Sequence, residues 1–210
     1  MSTNSPDDDL KSRLNRRTAA VVVDMQKDYC VRGGIIDLMG YDVTGSADLA
    51  KRMIPFLDQI KALVELTIFV RTEMPSSLRS IALSEQYART SLKREITPDL
   101  LDWYEVRPAS EDVVVTKQRY SPFVDTAFPA ILRAARIETL VIMGVTTEMC
   151  VESTVRDAFM RDFSVVVASD CTQGSTAERH DYSLRLMDIY FAHVATSDQI
   201  LAALRERQLV

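Results

Sequence analysis

Histidine and cysteine, the residues that build most metal centres, are scarce in this chain. Two histidines, His180 and His193, and three cysteines, Cys30, Cys150 and Cys171, are spread over 210 residues. No Cys-x-x-Cys pair occurs, which excludes the usual zinc modules. An odd, widely spaced set of cysteines is no disulfide framework and suits a reducing compartment. Glycine is sparse as well, and Gly33-Gly34 fits neither a dinucleotide-binding loop nor a P-loop. No apolar run reaches the roughly 18 residues that a membrane span needs. Met1 to Asp9 is polar and acidic, without the basic start and apolar run of a signal peptide. These absences predict a cytoplasmic protein with no metal, no organic cofactor and no membrane partner.

Charge excludes a further class. Thirty acidic residues against 25 basic ones leave a net charge of -5, which argues against a nucleic-acid groove. The basic clusters Lys11-Arg13-Arg16-Arg17 and Lys93-Arg94 carry no interleaved aromatics and read as solvated surface. A length of 210 residues with 47% hydrophobic residues suffices for one domain with a sizeable core.

What is present alternates regularly. Residues 1–17 are polar and read as a flexible N-terminal arm, and the domain spans 18–210. Ala19 to Val23 is a valine-rich run of the kind buried on both faces of a parallel sheet. Similar runs lie at Leu66 to Val70, Val113 to Val115, Thr139 to Met143 and Ser164 to Ala168, with a weaker one near Ala192 to Ala195. Helical periodicity fills the intervals, as in Leu49, Met53, Phe56, Leu57, Ile60 and Leu63. Arg71 to Glu111 is less regular, with a helix expected around Leu78 to Lys93 and loop from Thr97 to Pro108. The pattern predicts an α/β fold of three α/β/α layers around a mostly parallel six-stranded, Rossmann-like sheet.

Ligands of such sheets bind beyond the carboxyl ends of the strands. Asp24 closes the first run, Lys117 the third, and Cys150 follows the fourth after Gly144 and a short turn. Cys150 is expected to open a helix running to Phe163, where free amides, the helix dipole and a nearby lysine favour a thiolate. Taken singly, Cys150 reads equally as a small buried packing residue, Asp24 as a capping carboxylate and Lys117 as a snorkelling cation. Taken together, they form a cysteine-based acyl-transfer site. Cys30 and Cys171 read as packing residues, and neither histidine is placed as a base or ligand.

Four blocks extend this reading: Val22 to Tyr29, Lys117 to Phe123, Gly144 to Ala158, and Ala168 to Thr172. In order and separation they resemble the isochorismatase-like cysteine hydrolases over about Ala19 to Leu201. The resemblance implies that Asp24, Lys117 and Cys150 are the catalytic triad. It further implies a non-proline cis peptide between Val145 and Thr146, and an oxyanion hole made by the amides of Thr146 and Cys150. Arg71-Thr72-Glu73-Met74 lacks the histidine of metal-dependent nicotinamidases, and a cysteine is often missing from isochorismate-cleaving members. The chain looks most similar to hydrolases of biuret, triuret and ureidoacrylate, with N-carbamoylsarcosine-type or other small-amide amidases as the alternative. Isochorismatase, nicotinamidase and a non-catalytic binding protein are the remaining readings. By the same resemblance, Gln26, Tyr29, Arg119, Tyr120, Phe123 and Thr147 are expected to bind a small ureide or amide, in a homo-oligomer of two or four chains, and Gln173, read as lying in the loop after the fifth run, is expected to recognise a urea-like amide. The glycine-free stretch Ser84 to Tyr104 is expected to form a pocket wall.

Overall fold

Strands clad by helices on both sides have no solvent face, and their β-branched runs follow from that. The computed structural model describes residues 5–73, 77, 79–89 and 96–207. The first half comprises α1 (Pro6–Leu14), β1 (Thr18–Val23), the short α2 (Lys27–Cys30) and α3 (Ile35–Leu38), α4 (Ser46–Ile60), β2 (Leu66–Thr72) and α5 (Ile81–Arg89). A 3-10 turn (Pro98–Leu101) leads to β3 (Val113–Lys117), α6 (Phe128–Ala134) and β4 (Thr139–Val145). A π-helical turn (Thr147–Val151) precedes α7 (Glu152–Phe159), β5 (Ser164–Gln173), α8 (Ala177–Tyr190), β6 (His193–Ala195) and α9 (Ser197–Arg207).

The sheet has the order β3-β2-β1-β4-β5-β6, and every neighbouring pair is parallel. The chain builds outward from β1 to β3, then returns to place β4 on the other side of β1. That reversal opens a crevice beyond the carboxyl ends of β1 and β4.

Side chains alternate across the sheet and divide the core in two. Ala20, Val22, Phe69, Val141 and Met143 pack under α1, α4 and α9. Val21, Val23, Ile68, Val70 and Ile142 pack under α6, α7 and α8. The six-stranded α/β/α architecture expected from the sequence is the one observed. Among the described residues, no helix is long and apolar enough to cross a membrane.

Two local expectations are corrected and a third is met in its described part. The N-terminal arm is a docked helix from Pro6 onward. Ser5 and Asp8 form a reciprocal capping box, and Leu10 and Leu14, one turn apart, are buried in the core beside α9. Two apolar side chains on one helical face sufficed, which average polarity concealed. The second correction concerns β5, which runs through Gln173. Ile142 pairs with Val167 and Gly144 with Thr172, so β5 bulges between and then resumes pairing. Third, the helix expected over Leu78 to Lys93 is present as α5, while residues 78 and 90–93 lie outside the described residues, as does the Lys93-Arg94 cluster. Thr97 to Pro108 is mostly irregular, apart from its 3-10 turn and a bridge between Gln26 and Trp103.

Candidate active site

Asp24 leaves β1 in the left-handed region, at φ 52°, a conformation that aspartate tolerates better than most residues. Its amide still donates to the Val70 carbonyl at 2.9 Å, which turns the carboxylate into the crevice. Lys117 ends β3, two strands away, and reaches across β2. Its ammonium donates to Thr72 Oγ1 at 2.7 Å, Asp24 Oδ2 at 2.8 Å, the Arg119 carbonyl at 3.1 Å and Cys150 Sγ at 3.4 Å. Thr72 Oγ1 in turn donates to Asp24 Oδ1 at 3.0 Å. The three residues picked out in the sequence therefore meet: Asp24 and Cys150 follow the neighbouring strands β1 and β4, while Lys117 comes from β3, beyond β2. Thr72 fills the gap between them, and the sequence reading passed over it. Its position at the carboxyl end of β2 was the available signal.

The turn that carries Cys150 is shaped by the backbone. Gly144 has φ 117°, and a Cβ there would strike the Val23 carbonyl, so glycine is required. The Val145–Thr146 peptide is cis, as the resemblance implied. Cys150 lies in the π-helical turn, and the α-helix expected to start with it begins at Glu152. Helix α8 and the segment before it brace this turn. His180 Nδ1 lies 2.8 Å from Thr147 Oγ1, the Ser175 amide donates to Glu148 Oε1 at 3.0 Å, and Ser183 Oγ bonds Glu152. Thr146 Oγ1 is buried without a hydrogen-bond partner among the described residues.

Burial acts strongly on the titrating groups of the site. Removal from water pushes the Cys150 thiol well above its ordinary range; Lys117 opposes the rise and Asp24 adds to it. The side chain is enclosed and the α-helix starts two residues later, so burial opposes the thiolate that a helix N-terminus would favour. For Lys117, burial alone would lower the pKa, but the Asp24 carboxylate and Cys150 outweigh it and the ammonium is retained. Tyr29 is held well above the usual phenol range by burial, with Asp24 and Cys150 contributing. Burial also pushes the thiols of Cys30 and Cys171 up to about 12.

A cavity of about 130 Å³ opens onto Cys150. Of the residues expected to bind substrate, Tyr29, Arg119 and Tyr120 line it. Four others do not. Gln26 is buried behind the site, accepting from the Thr72 amide at 2.7 Å and donating to the Thr72 and Leu101 carbonyls. It braces Thr72. Phe123 packs edge-on against Phe128 in the core. Thr147 is spent on His180. Gln173 lies against Gly45, at the end of β5. Of the expected wall Ser84 to Tyr104, Gln86 and Tyr87 line the cavity. Among the described residues, no three His, Cys, Asp or Glu side chains cluster as a metal site.

Comparison with known proteins extends the geometry. The isochorismatase domain family matches residues 18–199. A ureidoacrylate amidohydrolase RutB of Agrobacterium fabrum is 33% identical over 171 residues, covering 74% of this chain and 75% of that protein. The protein of the same name from Acinetobacter baylyi is 29% identical over 211 residues, covering 91% of this chain and 85% of its own length. In fold, a cysteine hydrolase from Pseudomonas syringae superposes with a TM-score of 0.78 at 24% identity, covering 99% of this chain and 97% of that one. A zinc-bound pyrazinamidase of Pyrococcus horikoshii superposes at 0.71 with 23% identity, covering 86% and 99%. With the family match spanning nearly the whole domain and the acid, lysine and cysteine gathered at one sheet edge, the chain belongs to the isochorismatase family.

Proposed function

We propose that this protein is a cysteine amidohydrolase that cleaves a linear C–N amide bond of a small ureide, of the biuret, triuret or ureidoacrylate type, and releases ammonia. One observation carries the reading: a buried thiol, carboxylate and ammonium joined within hydrogen-bonding reach at the mouth of a small cavity. The likeness to proteins named ureidoacrylate amidohydrolase supports the substrate class.

In this mechanism the thiol of Cys150 passes its proton to Asp24 as the sulfur attacks the substrate carbonyl. A carbon–sulfur bond forms, and the amides of Thr146 and Cys150 receive the developing oxyanion. Lys117 stabilises the single negative charge as it moves from the carboxylate to the sulfur. Asp24 then donates its proton to the leaving nitrogen, the C–N bond breaks, and ammonia departs from a thioester. Water attacks the thioester while Asp24 takes its proton. The carbon–sulfur bond breaks, and that proton returns to sulfur. One carboxyl group acts as base and acid by turns. Thr72 and Gln26 hold the donors and do not react.

The test is ammonia release by chelator-treated protein from biuret, triuret, ureidoacrylate, N-carbamoylsarcosine and nicotinamide. Turnover of a ureide that disappears in a folded Cys150→Ala variant is the expected result. Turnover that survives the substitution refutes the reading.

A further inference from the structure

Part of the cavity wall is a small hydrophobic cluster separate from both sheet cores. Ile35 and Ile36 of α3 are buried in it with Val43, and Met39, Tyr87 and Met149 pack against them. Ile35, Ile36, Met39 and Met149 all line the cavity. The rest of the described lining carries polar atoms, including the ring hydroxyls of Tyr29, Tyr87 and Tyr120. Thr72, Tyr29 and Cys150 stand at the reacting end. Gln86, which is exposed, and Arg119, which is half-buried, also border the neighbouring open depression and so mark the mouth.

We propose that the non-reacting part of the substrate is a short hydrocarbon segment. On this proposal the site accepts N-alkyl or N-alkenyl ureas and ureido acids and rejects biuret and triuret. The proposal narrows the hydrolase reading above and rests on it. Biuret and triuret are polar along their whole length, and a second carbamoyl group laid on isoleucine and methionine leaves its N–H and C=O groups without partners. Each such unpaired group weakens binding by about tenfold or more. A hydrocarbon segment meets the same wall without loss and gains about fourfold in affinity per methylene buried. At the 10–15 Å³ that one water occupies, a cavity of about 130 Å³ has room for a molecule of roughly ten non-hydrogen atoms. That is a carbamoyl head with a tail of a few carbons. A carboxylate at the end of the tail would emerge at the mouth, where Arg119 is the one cationic residue among the described lining.

The experiment compares n-alkylureas from methyl to pentyl with biuret, by calorimetric binding to Cys150→Ala and by ammonia release from the unaltered protein. Propylurea and biuret have equal numbers of non-hydrogen atoms, which makes them the decisive pair. Affinity should rise about fourfold per methylene until the cavity is full, with propylurea at least tenfold tighter than biuret. Met39→Gln, nearly isosteric, should narrow that ratio, and Ile36→Ala should move the optimum to a longer chain, a shift that simple loss of folding does not produce. Biuret binding as tightly as propylurea, or an affinity independent of chain length, overturns the inference. Absence of ammonia release with chain-length-dependent binding intact would instead count against the hydrolase chemistry and leave the apolar recognition standing.

Discussion

The Lys117 ammonium lies 2.8 Å from the Asp24 carboxylate, and neither side chain is reached by solvent. A buried pair of this kind is poor evidence for stability but sensitive to the loss of one partner. Lys117→Met should cost about 3–5 kcal/mol in denaturant unfolding, because Asp24 is left uncompensated. The double variant Asp24→Leu with Lys117→Met should recover most of that loss while remaining inactive. If the double variant is no more stable than the single one, the pair is not the source of the penalty.

Asp24 and Lys117 act in opposite directions on Cys150, the carboxylate raising the thiol pKa and the ammonium lowering it. Asp24→Asn should therefore separate nucleophile reactivity from turnover. Alkylation of Cys150 by iodoacetamide near pH 7 is expected to accelerate several-fold, on the order of the thiolate fraction gained. Ammonia release should be lost, since no group then shuttles the proton. Slower alkylation in the variant would contradict the electrostatic account.

Cys30 and Cys171 give the protein an alkaline weakness. Burial raises both thiols to about 12 in the folded chain, against about 8.5 when unfolded. The folded state holds these protons more tightly, so their contribution is fully present below about pH 8.5 and is lost as pH rises toward 12, by up to about 1.4 kcal/mol per pH unit for each thiol. The stability gap between the unaltered protein and Cys171→Ala, followed by urea unfolding, should hold constant to about pH 8.5 and narrow above it. A gap that stays constant to about pH 11 would rule this out.

Gly144→Ala should damage the fold and the site together. The φ of 117° and the closeness of the Val23 carbonyl leave no place for a methyl group. A loss of at least about 1–3 kcal/mol is expected from backbone strain, along with a fall in activity out of proportion to the folded fraction, since the displaced turn carries Cys150. Near-normal stability and turnover would show that the turn tolerates rearrangement.

Much of the architecture was legible along the chain. Residues 19–23 and 140–143 each form unbroken apolar runs, a local property, and each became part of a central strand. The periodic residues Leu49, Met53, Phe56, Leu57 and Ile60 likewise became the buried face of α4. Helix α1 was missed because only Leu10 and Leu14 report its burial, within a stretch dominated by charge. Gln173 was placed in a loop because the bulge in β5 interrupts the strand pattern before pairing resumes. At the site, Asp24, Lys117 and Cys150 stood out as strand-end residues inside recognisable blocks. Gln26 and Thr147 belonged to the same blocks yet turned out to brace neighbours, since a motif marks a position and leaves the direction of its side chain open.

The sequence by itself determined the alternation of strands and helices, the sheet edge at which chemistry gathers, and the family. Those follow from local patterns: apolar period, strand-ending polar residues, and short ordered blocks. Tertiary structure alone decided that Thr72 bridges Lys117 and Asp24 across β2, that burial raises the Cys150 thiol, and that Ile35, Ile36, Met39 and Met149 gather in one cavity wall. Each depends on groups distant along the chain, such as the 93 positions between Asp24 and Lys117. Desolvation and close contact belong to the folded surroundings of a residue, and no local pattern encodes them.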